Sequence, residues 1–224
     1  DLCDGCGECE RVCPVTTHEP SYLGMRDHKA IYAPSHRSVP AGFVVNETTC
    51  TRCGRCLEAC PRGAIDLSRK EARTELHVAA IIVCVGATLC DPRVRPEYSY
   101  DPSKNVITGL EFERMVSASG PTSGRLVRPG DGRKPTRVAF IQCVGSRDRS
   151  KASPYCSSVC CMYAVKEAII AKTLAPEARV KVFYTDLRAL GKGYEEYYAR
   201  ARSLGVEFEN CRVSGIEERE GALE

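Results

Sequence analysis

Two copies of one cysteine pattern constrain this chain more than any other feature. Cys3, Cys6, Cys9 and Cys13 followed by Pro14 spell C-x2-C-x2-C-x3-C-P, and Cys50, Cys53, Cys56 and Cys60 followed by Pro61 spell it again. Three thiolates at intervals of three residues can wrap one iron–sulfur cubane corner by corner. The fourth, beyond a short helical turn, reaches a second cubane. Cys3, Cys6, Cys9 and Cys60 are therefore expected on one 4Fe–4S cluster, and Cys50, Cys53, Cys56 and Cys13 on another. Gly5, Gly7 and Gly54 stand where backbone amides have to turn toward sulfur. Tetrahedral zinc also uses C-x2-C pairs, but it takes four thiolates per ion and has no use for a third evenly spaced cysteine. Disulfides fit less well, because fifteen cysteines is an odd count and so dense a set has many competing pairings.

The half-repeats define a first domain, residues 1–70, expected to be a two-cluster ferredoxin of α+β type. The texture changes in a second domain, 76–224. His77–Val85 is a nearly continuous apolar run, which predicts a strand buried on both faces. Asp91–Arg137, rich in Pro, Gly, Ser and Arg, predicts loop with a short helix at Leu110–Ser117. Then Arg137–Cys143 and Val180–Tyr184 predict strands, and Ser157–Leu174 and Tyr194–Leu204 predict helices, the last stopped by Gly205. Such α/β alternation predicts parallel strands with crossover helices, here part of a doubly wound, Rossmann-like FAD/NAD(P)-binding domain.

A net charge of +3 and a pI near 8.2 fall short of the basic balance that phosphate contacts require, so no nucleic-acid partner is expected. No apolar run approaches the roughly 18 residues of a membrane span, and no charged-then-apolar leader opens the chain. A cytoplasmic protein without a membrane span is the expectation. The start at Asp1 rather than Met, and the charged end through Glu224, predict a piece of a longer polypeptide.

A further set of cysteines lies in the second domain. Cys143 ends a predicted strand, and Cys156, Cys160 and Cys161 lie around the start of the next helix. Cys156 and Cys160, four apart, would share a helix face, with Cys161 turned about 100° away. A third metal cluster and a set of buried thiols are both compatible with that spacing.

Several segments bring in a resemblance. Val144-Gly145-Ser146-Arg147-Asp148, the run Cys156-Ser157-Ser158-Val159-Cys160-Cys161-Met162-Tyr163, Phe183–Arg188 and Gly191–Glu196 closely resemble the A subunit of heterodisulfide reductase. So do His28–Tyr32 and Val106–Arg114. That family consists of iron–sulfur flavoproteins of methanogens and other anaerobes, with a ferredoxin module inserted into a thioredoxin-reductase-like domain that binds FAD. The resemblance implies a third, non-standard 4Fe–4S cluster near the flavin, on Cys143, Cys156, Cys160 and Cys161. It also implies FAD in the full-length protein. No G-x-G-x-x-G phosphate loop is present here. Ile81–Ala87 resembles the strand end lining the flavin in two-dinucleotide flavoproteins, which places Val85, Gly86 and Ala87 in the flavin vicinity.

Cys84, Cys90 and Cys211 lie outside any set of four and are assigned no chemistry, and His18, His28, His36 and His77 show no metal spacing. The five basic residues of Arg125–Arg137 are broken by Pro and Gly into a solvated loop, and Gly191-Lys192-Gly193 predicts a turn before a helix. The expected function is that of an electron-transferring component of an oxidoreductase. It would relay electrons between ferredoxin-type clusters and a flavin in a multisubunit complex, and the resemblance implies that such a complex bifurcates electrons. Its expected partners are other redox subunits, heterodisulfide reductase B/C-like and hydrogenase- or dehydrogenase-linked. The rivals are a zinc-stabilised scaffold and a self-sufficient flavin- or NAD(P)-dependent reductase.

Overall fold

The computed structural model describes residues 2–18, 23–34, 38–69, 73–150 and 153–224. His36 lies outside them. The chain divides into two compact units, Asp1–Ala87 and Thr88–Glu224.

In the first unit each cysteine repeat folds into a short helix behind a left-handed glycine. The helices are α1 (Glu8–Val12), capped by Gly7 at φ 81°, and α2 (Arg55–Ala59), capped by Gly54 at φ 80°. Such φ values are open to glycine without a Cβ clash. The helices pack on each other. Two small antiparallel ladders accompany them: β1 (Thr16–His18) with β2 (Asp27–Lys29), and β3 (Ile31–Tyr32) with β4 (Val44–Val45). The core is Cys9, Ile31 and Cys56, with Cys13, Phe43, Val45, Ile65 and Leu67 packed around it. Cysteines thus form a large share of the interior, as in a small domain that lacks the volume for a conventional apolar core.

The second unit is built on three parallel strands, β5 (Arg137–Ile141), β6 (Arg179–Tyr184) and β7 (Val206–Asn210), hydrogen-bonded in that order. The crossovers are α4 (Cys160–Leu174) and α5 (Tyr194–Ser203). Helix α4 is apolar around most of its circumference and packs on all three strands, on α5 and on α3 (Gly109–Val116). Val180 and Val182 beneath it are fully buried, each contributing about 1.5–3 kcal/mol by burial. Helix α3 starts with a capping box, the Thr108 hydroxyl accepting from the Glu111 amide and the Glu111 carboxylate from the Thr108 amide. Its Phe112 meets Phe140 of β5 edge to face, ring centroids 5.4 Å apart. A hairpin, β8 (Glu218–Arg219) with β9 (Ala222–Leu223), closes the chain.

The predicted strands and helices after Arg137 are found, each within three residues of its expected ends, and the helix predicted at Leu110–Ser117 is α3. Three expectations change. His77–Val85 is not a strand: it has no ladder partner among the described residues, and Ile81, Ile82 and Val85 are at least 80% exposed. An apolar run reports what a strand would need, but a buried strand forms only where neighbours satisfy its backbone on both sides. Secondly, α4 begins at Cys160 rather than Ser157, because Ser158 at φ 63° interrupts the helical path. Thirdly, 91–137 is more ordered than loop composition suggests. It holds 3-10 turns at Pro92–Val94 and Pro96–Tyr98, and the Tyr98 hydroxyl donates to Val213 O at 3.0 Å. Arg95 is buried in ion pairs with Glu97 and Asp148. The strand order runs consecutively and α4 touches α5, so both crossovers lie on one face. The order reversal of a doubly wound sheet is not among the described residues.

Candidate metal centres

The two repeats of the first unit match position by position. Gly7 O accepts hydrogen bonds from the amides of Glu10 and Arg11, and Gly54 O from those of Leu57 and Glu58. Gly5 at φ 76° corresponds to Arg52 at φ 53°, so each loop makes its first left-handed turn at the same place. The third cysteine of each repeat, Cys9 or Cys56, sits on the helix and is buried. The fourth, Cys13 or Cys60, is the C-cap in extended conformation. The following proline enforces that geometry, since its ring disfavours helical backbone in the residue before it. The fourth thiol is thereby carried away from its own loop.

The consequence is visible at Cys13. It lines a pocket together with Cys50, Cys53 and Cys56, and Ala30, Ile31, Val45 and Leu67 complete the lining. That is the expected set of three thiols from one repeat and one from the other. On the first repeat Cys3 and Cys6 lie close enough to Cys9 to act on its ionisation. Burial pushes the Cys9 thiol up to about 11 and raises Cys56 as well, with the neighbouring thiols adding repulsion. Such a set becomes fully thiolate only with a cation in its midst. Backbone amides already point at sulfur: Arg52 N donates to Cys50 Sγ and Ala64 N to Cys60 Sγ, both at 3.4 Å. Among the described residues no three His, Cys, Asp or Glu side chains are spaced to hold a single ion. Thiols ringing a pocket suit a polynuclear group wider than one ion, so the donor set fits a 4Fe–4S cluster.

The second unit brings Cys143, Cys156, Cys160 and Cys161 together. Gln142 N donates to Phe183 O at 3.0 Å, extending the ladder past β5, and Cys143 then turns off the sheet at φ 61°. Cys160 and Cys161 open α4, where the positive end of the helix favours thiolates. Cys156 is not on the helix face expected for it; it lies in the preceding loop, its sulfur accepting from Ser158 N at 3.3 Å. Burial raises Cys143, and the neighbouring Cys160 and Cys156 thiols push it further. Hydrogen bonding with Cys161 holds Cys160 below the ordinary thiol range and raises Cys161. Sequence reasoning missed Arg147, which ion-pairs with Asp186 at 2.6 Å and lies close enough to Cys143 to favour its thiolate. Its place in the Val144–Asp148 motif was the available signal. Cys211, assigned no chemistry from its spacing, lines with Cys143, Arg147 and Arg212 a pocket at the carboxyl ends of the strands. Four converging thiols with no disulfide again fit an iron–sulfur group.

The other candidates do not join a site. Val85, Gly86 and Ala87 lie in exposed chain without regular structure, and nothing stands within 4 Å of a Cβ placed at Gly86. Cys84, Cys90 and His77 are exposed, His18 Nδ1 lies 2.6 Å from an Asp27 carboxylate oxygen, and His28 is buried against the Tyr32 ring. Gly193, at φ 78°, caps α5, so Gly191–Gly193 is the turn expected. No helix among the described residues is long and apolar enough to cross a membrane.

The repeated ligand loops around a shared pocket define a class, the dicluster iron–sulfur proteins, and a family model for a 4Fe-4S dicluster domain matches residues 2–65. Comparison along the whole of this chain narrows this. The chain is 45% identical over 219 residues to the A subunit of the H(2):CoB-CoM heterodisulfide,ferredoxin reductase of Methanothermobacter thermautotrophicus, covering 96% of this chain and 33% of that one. It is 48% identical over 219 residues to the second iron-sulfur A subunit of the CoB--CoM heterodisulfide reductase of Methanopyrus kandleri, again 33% of that protein, and 45% identical to the corresponding iron-sulfur A subunit of Methanocaldococcus jannaschii. The chain is a relative of the heterodisulfide reductase A subunits along nearly its whole length, and it spans about a third of the length of these curated relatives.

Proposed function

We propose that this chain is an electron-transferring piece of an oxidoreductase subunit. It holds one 4Fe–4S cluster on Cys3, Cys6, Cys9 and Cys60, a second on Cys50, Cys53, Cys56 and Cys13, and a third on Cys143, Cys156, Cys160 and Cys161. The observation that carries this reading is Cys13 lining one pocket with the three thiols of the other repeat. Bound clusters supply one-electron chemistry. The chain supplies the thiolates, the amides that donate to them and the burial that excludes water, which together set the potential.

Residues 1–70 act as the ferredoxin module, and 76–224 belong to a larger Rossmann-like, thioredoxin-reductase-like domain. FAD, implied by the family resemblance, is assigned to the longer protein and not to the residues of this chain. The partners are other redox subunits, heterodisulfide reductase B/C-like and hydrogenase- or dehydrogenase-linked, and the setting is the cytoplasm, where thiols stay reduced. Relatives named for both CoB-CoM heterodisulfide and ferredoxin support a complex with two electron acceptors, and bifurcation is proposed for that complex.

The test is anaerobic reconstitution with iron and sulfide, followed by iron counting and electron paramagnetic resonance (EPR) of the reduced chain and a Cys160→Ser variant. About twelve irons, falling toward eight in the variant, is the expected result for three cubanes. Eight in both removes the third site, and zinc without a paramagnetic signal removes the redox function.

A further inference from the structure

One buried acid in the second unit has no part in the thiol sites. Glu167 on α4 is 1% exposed, and its Oε2 has no hydrogen-bond partner among the described residues. A buried carboxylate with an oxygen left unpartnered is disfavoured in its charged form, which makes such a group a ready proton acceptor. It lies seven residues beyond Cys160 on the same helix, with Tyr163 and Ala164 between them. Offsets of three, four and seven share one helix face, and seven residues rise about 10 Å. The carboxyl therefore sits on the helix face that carries Cys160, two turns along, and Tyr163 between them is acted on both by the Cys160, Cys161 and Cys143 thiols and by Glu167.

The packing makes room for it. The carboxyl lies against the first residue of α3, where a Cβ on Gly109 would stand 3.0 Å from the Tyr163 ring and 3.3–3.4 Å from the two Glu167 oxygens. A side chain there would require the ring or the carboxyl to give by a few tenths of an ångström. The charged groups acting on Glu167 are Lys166 of its own helix and Glu113 of α3, which pair with each other at 2.8 Å. Tyr163 is the titratable neighbour one turn before it, and the strands and α5 bring no charged group that acts on it. Glu111 of α3 is occupied by the Thr108 amide and the Tyr100 hydroxyl. Burial pushes the Glu167 carboxyl up to about 8, Lys166 pulling it down and Glu113 pushing it up.

We propose that Glu167 takes up a proton from solvent when an electron reaches the Cys143, Cys156, Cys160 and Cys161 site, so that this transfer is proton-coupled. The inference rests on the third cluster of the proposed function. One electron enters from a one-electron donor of ferredoxin type, one proton comes from water, and one O–H bond forms on the carboxylate. The net charge of the region is then unchanged. A unit charge about 10 Å away across a protein interior raises the proton affinity of a carboxylate roughly tenfold. Glu167 is thus ionised more readily before the electron arrives than after.

The sign follows. Below the carboxyl's titration range in the oxidised state it is protonated in both states, and above its range in the reduced state it is ionised in both. Between these the potential falls as pH rises. The experiment is an EPR-monitored redox titration of the reconstituted chain from pH 6 to 10, with iron counted in the same samples, on wild type and Glu167→Gln. The expected result is about twelve irons in both, a third-cluster potential that falls as pH rises across the carboxyl's titration range in wild type alone, and a reduced-minus-oxidised infrared band of a protonated carboxyl missing from the variant. The two ferredoxin clusters stay flat in both proteins. A flat third-cluster potential in twelve-iron wild type overturns the proposal without touching the cluster assignment, and needs no folded variant. An unchanged slope in Glu167→Gln overturns it as well. Eight irons in wild type overturns the third cluster, and this inference with it.

Discussion

Exchange of ligands between the two repeats makes a sharp prediction at Cys13. Its backbone role is independent of sulfur: the amide donates to Glu10 O at 3.2 Å, and Pro14 keeps the residue extended. Cys13→Ala should therefore leave α1 and its cap in place and remove one thiol from the pocket shared with Cys50, Cys53 and Cys56. The effect is confined to one cluster, a loss of up to about four irons out of twelve. Pairing the variant with a second substitution separates exchanged from unexchanged ligation. Cys13→Ala with Cys50→Ala strikes one cluster twice and should cost no more iron than the worse single variant. Cys13→Ala with Cys3→Ala strikes two clusters, and its losses should add. Iron counting and EPR on anaerobically reconstituted chains read the difference, the first pair retaining an undamaged ferredoxin-type 4Fe–4S signal and the second retaining none. The opposite pattern, with the Cys3 pair retaining an undamaged ferredoxin-type signal, would refute the exchange and the reading of the pocket.

Gly54→Ala places a Cβ at φ 80° in open space, so the penalty is the left-handed backbone alone, about 1–2 kcal/mol; chemical denaturation of the loaded chain should show it, and an unmoved midpoint would contradict it. Thr108→Ala removes the hydroxyl that accepts from Glu111 N at 3.2 Å and should lower the stability of the second unit by about 1 kcal/mol, measured as a shift of the urea midpoint. Glu207 is held down to about 2, chiefly by hydrogen bonds from Arg179 across the β6–β7 pairing. Its folded value is depressed, so its contribution is complete above its ordinary 4.5 and is lost as pH falls from there toward 2. Glu207→Gln should flatten the pH dependence of the unfolding midpoint in that window. The difference should shrink in high salt, because the pair is exposed.

The ligand loops were legible because everything that shapes them is local. Cysteine spacing, the glycines that cap α1 and α2 and the prolines that straighten Cys13 and Cys60 all act within a few residues. The regular alternation after Arg137 was legible for a related reason, since hydrophobic period and stop signals report each element separately. Misreadings arose where burial depends on something distant. His77–Val85 has the composition of a buried strand, yet nothing in its own residues states which neighbours would complete its hydrogen bonds. Cys156 was placed on α4 by counting back four residues from Cys160, whereas one backbone torsion at Ser158 moves it into the loop. Arg147 belongs to the Val144–Asp148 motif, but its proximity to the Cys143 sulfur depends on how the loop after β5 folds back.

The sequence by itself determined the donor atoms, their grouping into two repeats and the parallel order of strand and helix. These follow from covalent spacing and local torsional preference. The tertiary structure alone decided that His77–Val85 pairs with no strand among the described residues, that Arg147 comes beside Cys143, and that α3 packs on α4 where Glu167 is buried. Each of those depends on contacts between residues tens of positions apart, whose free energy comes from burial and exists only once the chain has folded.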